Sequence, residues 1–218
     1  YVRSADLLPD RLDVQITTGV YLLAAGRAED ALARAGAAVA LDPRSVQAHV
    51  LRGNALAGLK SLDDGIAAIE EAIRIDPARG ATYASLGALE FARGRQADAE
   101  EAFRKAASLA PDSIEAPLAL GNLYWAQRRM ADAEAAFRAA LKVDATNELA
   151  NRAMAAFTMA TGRAPEAEQY LKAIADASGR PDGAFALADY YLLAGRPTDA
   201  VARIEAVMAA NPGATGAK

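Results

Sequence analysis

The chain has 218 residues, with 24 Lys and Arg against 28 Asp and Glu, one His and no Cys, for a net charge of −4. Each half carries −2 and no Lys/Arg run exceeds two residues, so the electrostatic footprint of a nucleic-acid or anionic-membrane binder is missing. Disulfides, thiolate chemistry and a transition-metal site of ordinary composition are excluded, and no stretch approaches the roughly 18 apolar residues of a membrane span.

Ala, Leu and Arg dominate, which favours helix throughout. Six acidic residues, Asp30, Asp64, Asp98, Asp132, Glu166 and Asp199, recur at spacings of 34, 34, 34, 34 and 33. A fixed period near 34 marks stacked helical hairpins. Residues 1–11 read as the end of a preceding second helix, with Tyr1, Leu7 and Pro9 at its repeat positions. Six repeats follow at 12–45, 46–79, 80–113, 114–147, 148–180 and 181–214, and 215–218 begins a further repeat or a tail.

Positions 4, 7, 8 and 11 of each repeat form one stripe of a first helix, and positions 20, 24 and 27 one stripe of a second. Position 8 holds Gly19, Gly53, Gly87 and Gly121, opposite Ala31, Gly65, Ala99 and Ala133 at position 20. Glycine costs about 1 kcal/mol in a helix interior, so its recurrence predicts a close helix–helix approach. Gly26, Gly94, Gly162 and Gly195 are placed to end the first helices in a left-handed residue. The recurring acid then falls in the first turn of the second helix, where it complements the macrodipole. Asp42-Pro43, Asp76-Pro77, Ala110-Pro111 and Asn211-Pro212 close the second helices. Glu70/Arg74, Glu100/Arg104, Glu101/Lys105 and Glu134/Arg138 are i,i+4 pairs on their exposed face.

Three departures stand out. Ala145 and Gly179 replace prolines, the fifth repeat is one residue short, and Ala155 and Ala188 replace the position-8 glycine. The stretch Ser178 to Gly183 is rich in turn residues, which predicts a local change of curvature.

Tyr83, Leu86, Gly87, Ala99, Phe103, Ala106 and Pro111, with Leu120, Gly121, Tyr124, Ala133, Phe137 and Ala140, carry a spacing that resembles the tetratricopeptide-repeat (TPR) family. The resemblance covers nearly the whole chain. It implies an all-α, right-handed superhelical solenoid of six antiparallel helix hairpins, whose concave groove is lined by first-helix positions 2, 5, 9, 12 and 13. Those positions lie opposite the packing stripe, so periodicity permits the same face. They place Ile16, Val20, Leu23, Asn54, Phe91, Asn122, Trp125, Arg152, Met159 and Asp189 on it. The carboxylate clamp of some chaperone-binding members is missing: its first-repeat positions hold Ile16 and Val20, and its third-repeat positions Ala81 and Ser85.

Catalytic chemistry finds little support. His49 occupies position 4, a packing place, with no partner for general acid–base work. Gly53 to Lys60 only superficially matches a phosphate-binding loop and lies within a predicted helix. Adjacent carboxylates such as Glu100-Glu101 point about 100° apart on a helix and form a solvated face rather than a dyad.

The expected function is therefore non-catalytic, a scaffold or adaptor that binds a protein or peptide without cofactor, nucleic acid or direct membrane insertion. Asn54 and Asn122 would hold the partner's backbone, Phe91, Trp125 and Met159 its apolar side chains, and Arg152 an acidic group. Trp125 has a competing assignment, the filling of a gap between repeats four and five. Two other classes stay open: a targeting arm of a larger enzyme such as a glycosyltransferase, and a structural part of bacterial envelope or exopolysaccharide assembly. The start at Tyr1 and the 19 Arg against 5 Lys read as a segment of a longer bacterial protein, from the cytoplasm or periplasm, of undefined oligomeric state.

Overall fold

Runs of Ala, Leu and Glu punctuated every 12 to 14 residues give helices of that length. A computed structural model describes residues 6–177 and 181–210. Among the described residues are twelve α-helices and no strand: α1 (Leu12–Ala24), α2 (Ala28–Leu41), α3 (Val46–Gly58), α4 (Leu62–Ile75), α5 (Gly80–Ala92), α6 (Gln96–Leu109), α7 (Glu115–Ala126), α8 (Met130–Val143), α9 (Glu148–Ala160), α10 (Ala164–Ala177), α11 (Pro181–Leu193) and α12 (Pro197–Ala210). Helices this short are marginal alone, so packing must hold them. The structure divides within α7 into two compact units, residues 1–123 and 124–218.

In the first unit α1 packs on α2, α3 on α4 and α5 on α6, and α2–α3 and α4–α5 join successive hairpins. First helices also touch directly, α1 with α3 and α3 with α5, so they stand side by side on one face. The second unit repeats the scheme with α9 on α10 and α11 on α12, joined through α8–α9 and α10–α11. Its core gathers Leu171, Ile174, Leu187, Tyr190 and Tyr191 around a floor of alanines.

Small residues set the approach distance. A Cβ on Gly53 would meet Ile69 at 2.7 Å and the backbone oxygen of Gly65 at 2.9 Å. On Gly87 it would meet the Phe103 ring at 2.6 Å. Gly19 is different: its neighbour is Leu51 of the next repeat, not its own second helix. Gly26, Gly94, Gly162 and Gly195 have φ of 74°, 86°, 77° and 71°. In repeats two and four Lys60 (φ 64°) and Arg128 (φ 63°) take that left-handed place without being glycine. Of the turn-rich stretch, residues 178–180 lie outside the described residues, while Pro181 to Gly183 open α11. Gly179 and Asn211-Pro212 are likewise outside.

The periodic acid does more than face the helix dipole. An arginine three residues earlier bridges the turn to it: Arg27–Asp30 (2.7 Å), Arg95–Asp98 (3.4 Å), Arg129–Asp132 (2.8 Å), Arg163–Glu166 (3.5 Å) and Arg196–Asp199 (2.6 Å). In repeat two Ser61 Oγ donates to Asp64 instead, at 2.8 Å. In the second unit the same arginines reach the preceding second helix, Arg163 to Glu134 at 2.9 Å and Arg196 to Glu168 at 2.7 Å. Of the expected i,i+4 pairs, Arg104–Glu100 and Arg138–Glu134 form, whereas Arg74 pairs with Glu71, one residue nearer than Glu70.

Position 4 carries a second recurring device. His49 is buried and its Nε2–H donates to Pro43 O at 2.9 Å. Gln15 Nε2 donates to Pro9 O at 3.3 Å, and Asn151 Nδ2 to Ala145 O at 2.8 Å. Each polar side chain satisfies the carbonyl of the residue that enters the loop from the previous repeat, a group otherwise costly to bury.

Two stability measurements check this account. Gly53→Ala should lower the urea midpoint by an equivalent of about 1–3 kcal/mol, because overpacking outweighs the gain in helix propensity. Gly36→Ala, in α2 with nothing within 4 Å of the new Cβ, should raise it by about 0.5–1 kcal/mol. Glu168 accepts from Lys172, Arg196 and Tyr191, which together hold its carboxyl at about 2 against an ordinary 4.5. A depressed carboxylate contributes stability that is present above its unfolded value and lost as pH falls through the folded one. Glu168→Gln should therefore cost roughly 1 kcal/mol at pH 7 and flatten the decline in stability between pH 4.5 and about 2.

Candidate functional site

Because α1, α3 and α5 lie side by side, the residues opposite their packing stripe come together in the first unit. They enclose a cavity of about 260 Å³ lined by Ile16, Val20, Leu23, Gln47, Val50, Leu51, Asn54, Arg79, Ala81, Thr82 and Ser85. The α1 wall is aliphatic, and Val20 is 52% exposed. The α3 wall adds the half-buried amide of Asn54 and the exposed one of Gln47. The α5 wall carries hydroxyls and Arg79, the sole charged lining residue.

The α5 end of the cavity is unusual among the first helices. Ser45 Oγ accepts from Ala48 N at 3.3 Å at the start of α3, and Asn147 Oδ1 from Ala150 N at 3.1 Å at the start of α9. The residue in that place before α5 is Arg79, which makes no side-chain cap, and no acid stands in the helix's first turn. Thr82, three residues after Arg79, is 1% exposed and its Oγ1 has no hydrogen-bond partner.

Larger clefts run along single hairpins. One of about 710 Å³ between α5 and α6 includes Tyr83, Leu86 and Glu90; another of about 600 Å³ between α3 and α4 includes His49 and Arg52. Glu90 stands where the spacing predicts an apolar packing residue, buried, and is held by Arg95 at 3.0 Å. The same stretch of hairpin surface recurs in both clefts, which marks them as seams of the architecture. The smaller cavity, by contrast, draws on three helices.

Of the residues expected on the groove, Asn54 lines this cavity, as do Ile16, Val20 and Leu23. Phe91 (42% exposed) and the exposed Asn122 also belong to the first unit. In the second unit Met159 is 41% exposed and Asp189 is exposed. Arg152 is exposed but pairs with Glu148 at 2.7 Å, so an incoming acid would compete with that carboxylate. Trp125 is half-buried and meets Phe157 (5.5 Å) and Phe137 (6.3 Å) edge-on. The cluster gives Trp125 a packing role between repeats four and five. Sequence reasoning did not find Arg79 or Thr82. The signal was there: Thr82 is the one hydroxyl residue at a position otherwise held by Val14, Ala48, Ala116, Ala150 and Gly183.

Among the described residues no group of His, Asp and Glu could hold a metal ion, and no helix is long and apolar enough to cross a membrane. Trp125→Ala, which empties one ring of the aromatic cluster, should destabilise the second unit by about 3 kcal/mol, read as an earlier thermal transition. Trp125→Phe should recover most of that loss.

Two family models described as tetratricopeptide repeat match residues 16–80 and 90–157. No curated protein matches the chain in sequence. Among solved structures, Pseudomonas aeruginosa PilF is similar at 18% identity and a TM-score of 0.70, over 93% of this chain and 92% of that one. PilW, a type IV pilus biogenesis factor, gives 20% and 0.69 over 93% and 94%. A thermophilic TPR protein of Thermus thermophilus gives 19% and 0.69 over 84% and 100%. At these identities the likeness is one of fold. The helix hairpins, their 34-residue period and the matching family models agree: the chain belongs to the tetratricopeptide-repeat family.

Proposed function

We infer that the chain is a non-catalytic scaffold whose first helices bind a segment of a protein partner. The observation that carries this reading is the cavity shared by α1, α3 and α5, with its aliphatic wall and half-buried Asn54 amide. Aliphatic side chains of the partner would sit against Ile16, Val20 and Leu23, while Asn54 donates to and accepts from its backbone. Phe91 and Asn122 would extend the surface of the first unit. In the second unit Met159 and the open edge of Trp125 would take apolar groups, Arg152 an acid and Asp189 a polar contact. Nearest-neighbour packing builds these surfaces before a partner arrives, which limits the ordering cost of binding.

A photo-crosslinking residue at Val20 tests the assignment in cells that produce the protein. Discrete partner adducts are expected, with yield reduced at least about threefold by Asn54→Ala. The same adducts in equal yield from Glu70, on the exposed side of α4, would remove the assignment.

A further inference from the structure

The α11–α12 hairpin carries an apolar face whose counterpart elsewhere in the chain is covered. Ile204 and Val207 turn one side of α12 toward the core of the second unit. The other side exposes Val201 and Met208, and α11 exposes Phe185 and Leu192, each between 46% and 54% open to solvent. These four stand at positions 5, 12, 21 and 28 of the sixth repeat. In the second repeat the same positions hold Val50, Ala57, Ile66 and Ile73, which form one apolar cluster with Leu86 and Leu89 of α5. The cover there is a helix, and Ile66 falls to 4% exposure beneath it. So regular an apolar set is seldom left to water.

Charge states what else the cover must carry. Residues at i, i+4 and i+7 share a helix face, and each exposed stripe has an acid at its middle. Asp189 lies between Phe185 and Leu192, and Glu205 between Val201 and Met208, both exposed. Among the described residues no cation holds either acid. Position 21 takes two kinds of cover within the chain. Glu134 and Glu168 receive Arg163 and Arg196 from the next repeat, whereas Ile66 receives leucine. Val201 belongs with Ile66. We propose that the α11–α12 face docks an amphipathic helix of a partner protein, with two aliphatic residues three apart, as in Leu86 and Leu89, and Lys or Arg within a turn of them. The aliphatic pair covers the apolar stripes, and the cation sits between Asp189 and Glu205. A second copy of this chain fits less well. Face to face it sets acids against acids, and its α1 offers the buried Thr18 and Tyr21 where α5 has leucines. Residues 211–218 hold no Leu, Ile, Val, Met or aromatic residue to supply the pair. The proposal does not depend on the cavity of the first unit.

The test is selection from a display library of alanine-based helical peptides, randomised along one face, on the native chain. Affinities of the selected helices are then read by fluorescence anisotropy. Enriched helices should carry aliphatic residues three or four apart with Lys or Arg beside them. Val201→Asp with Met208→Asp should weaken their binding at least about tenfold, at an unchanged thermal midpoint because both side chains are exposed. Asp189→Lys with Glu205→Lys should weaken it as well, and replacing the basic residue of the peptide by Glu should restore it, a rescue that a misfolded variant would not give. Val20→Asp and Asn54→Ala, both in the first unit, should leave it unchanged. Helices sensitive to those two substitutions and not to Val201→Asp would overturn the dock and keep the reading of the cavity. Aliphatic helices indifferent to the charge swap would overturn the basic character of the partner. Enrichment of no helix, with a dimer in sedimentation that Val201→Asp dissolves, would give the face to a second copy; enrichment of no helix without a dimer would overturn the dock outright.

Discussion

Everything in this molecule depends on how closely two helices can approach at a position without a side chain. Gly53 and Gly65 face each other so that one backbone oxygen fills the space a Cβ would occupy. Move that pair apart and the hairpin opens, α3 no longer lies flush with α1 and α5, and the cavity between the three loses its walls. The glycine's cost in helix propensity is local, whereas the packing it permits extends through Ile69 and Leu89 into the core of the unit. The cavity surface is therefore a by-product of interior geometry.

Charge follows the same logic. A turn of three residues brings Arg and Asp or Glu together at most of the hairpins, and in the second unit the arginine also reaches back one repeat. Exposed pairs contribute little singly. Glu168 is stronger because Lys172, Arg196 and Tyr191 converge on one carboxylate in a partly buried place. The pairing fastens neighbouring repeats at their loops, where the apolar stripe has already ended.

Much of this is legible in the order of residues alone. The period, the hairpins, the glycine turns and the first-turn acids are properties of spacing, and spacing is what a helix reads out. What the sequence hid are choices that break the pattern for local reasons. Lys60 and Arg128 occupy left-handed turns because the Schellman geometry is imposed by helices on both sides. Glu90 sits in a packing position because Arg95, five residues on, can reach it. Trp125 belongs to the groove by register, but two neighbouring rings draw it inward. Arg79 and Thr82 line the cavity from the start of a helix, outside the helix-face positions that the period marks. Asn54, by contrast, is both on the expected register and on the cavity wall.

The bonds from Gln15, His49 and Asn151 to the loop carbonyls have an evolutionary corollary. Donor and acceptor belong to different repeats, so neither copy of a duplicated unit is complete by itself. Excision of a full 34-residue period keeps the remaining pairs in register, whereas a deletion of a few residues inside one of these loops strands a donor and an acceptor together. Length in this chain is thereby quantised. The one boundary where the period slips to 33 is followed by Ala184, a residue with no side-chain donor to strand.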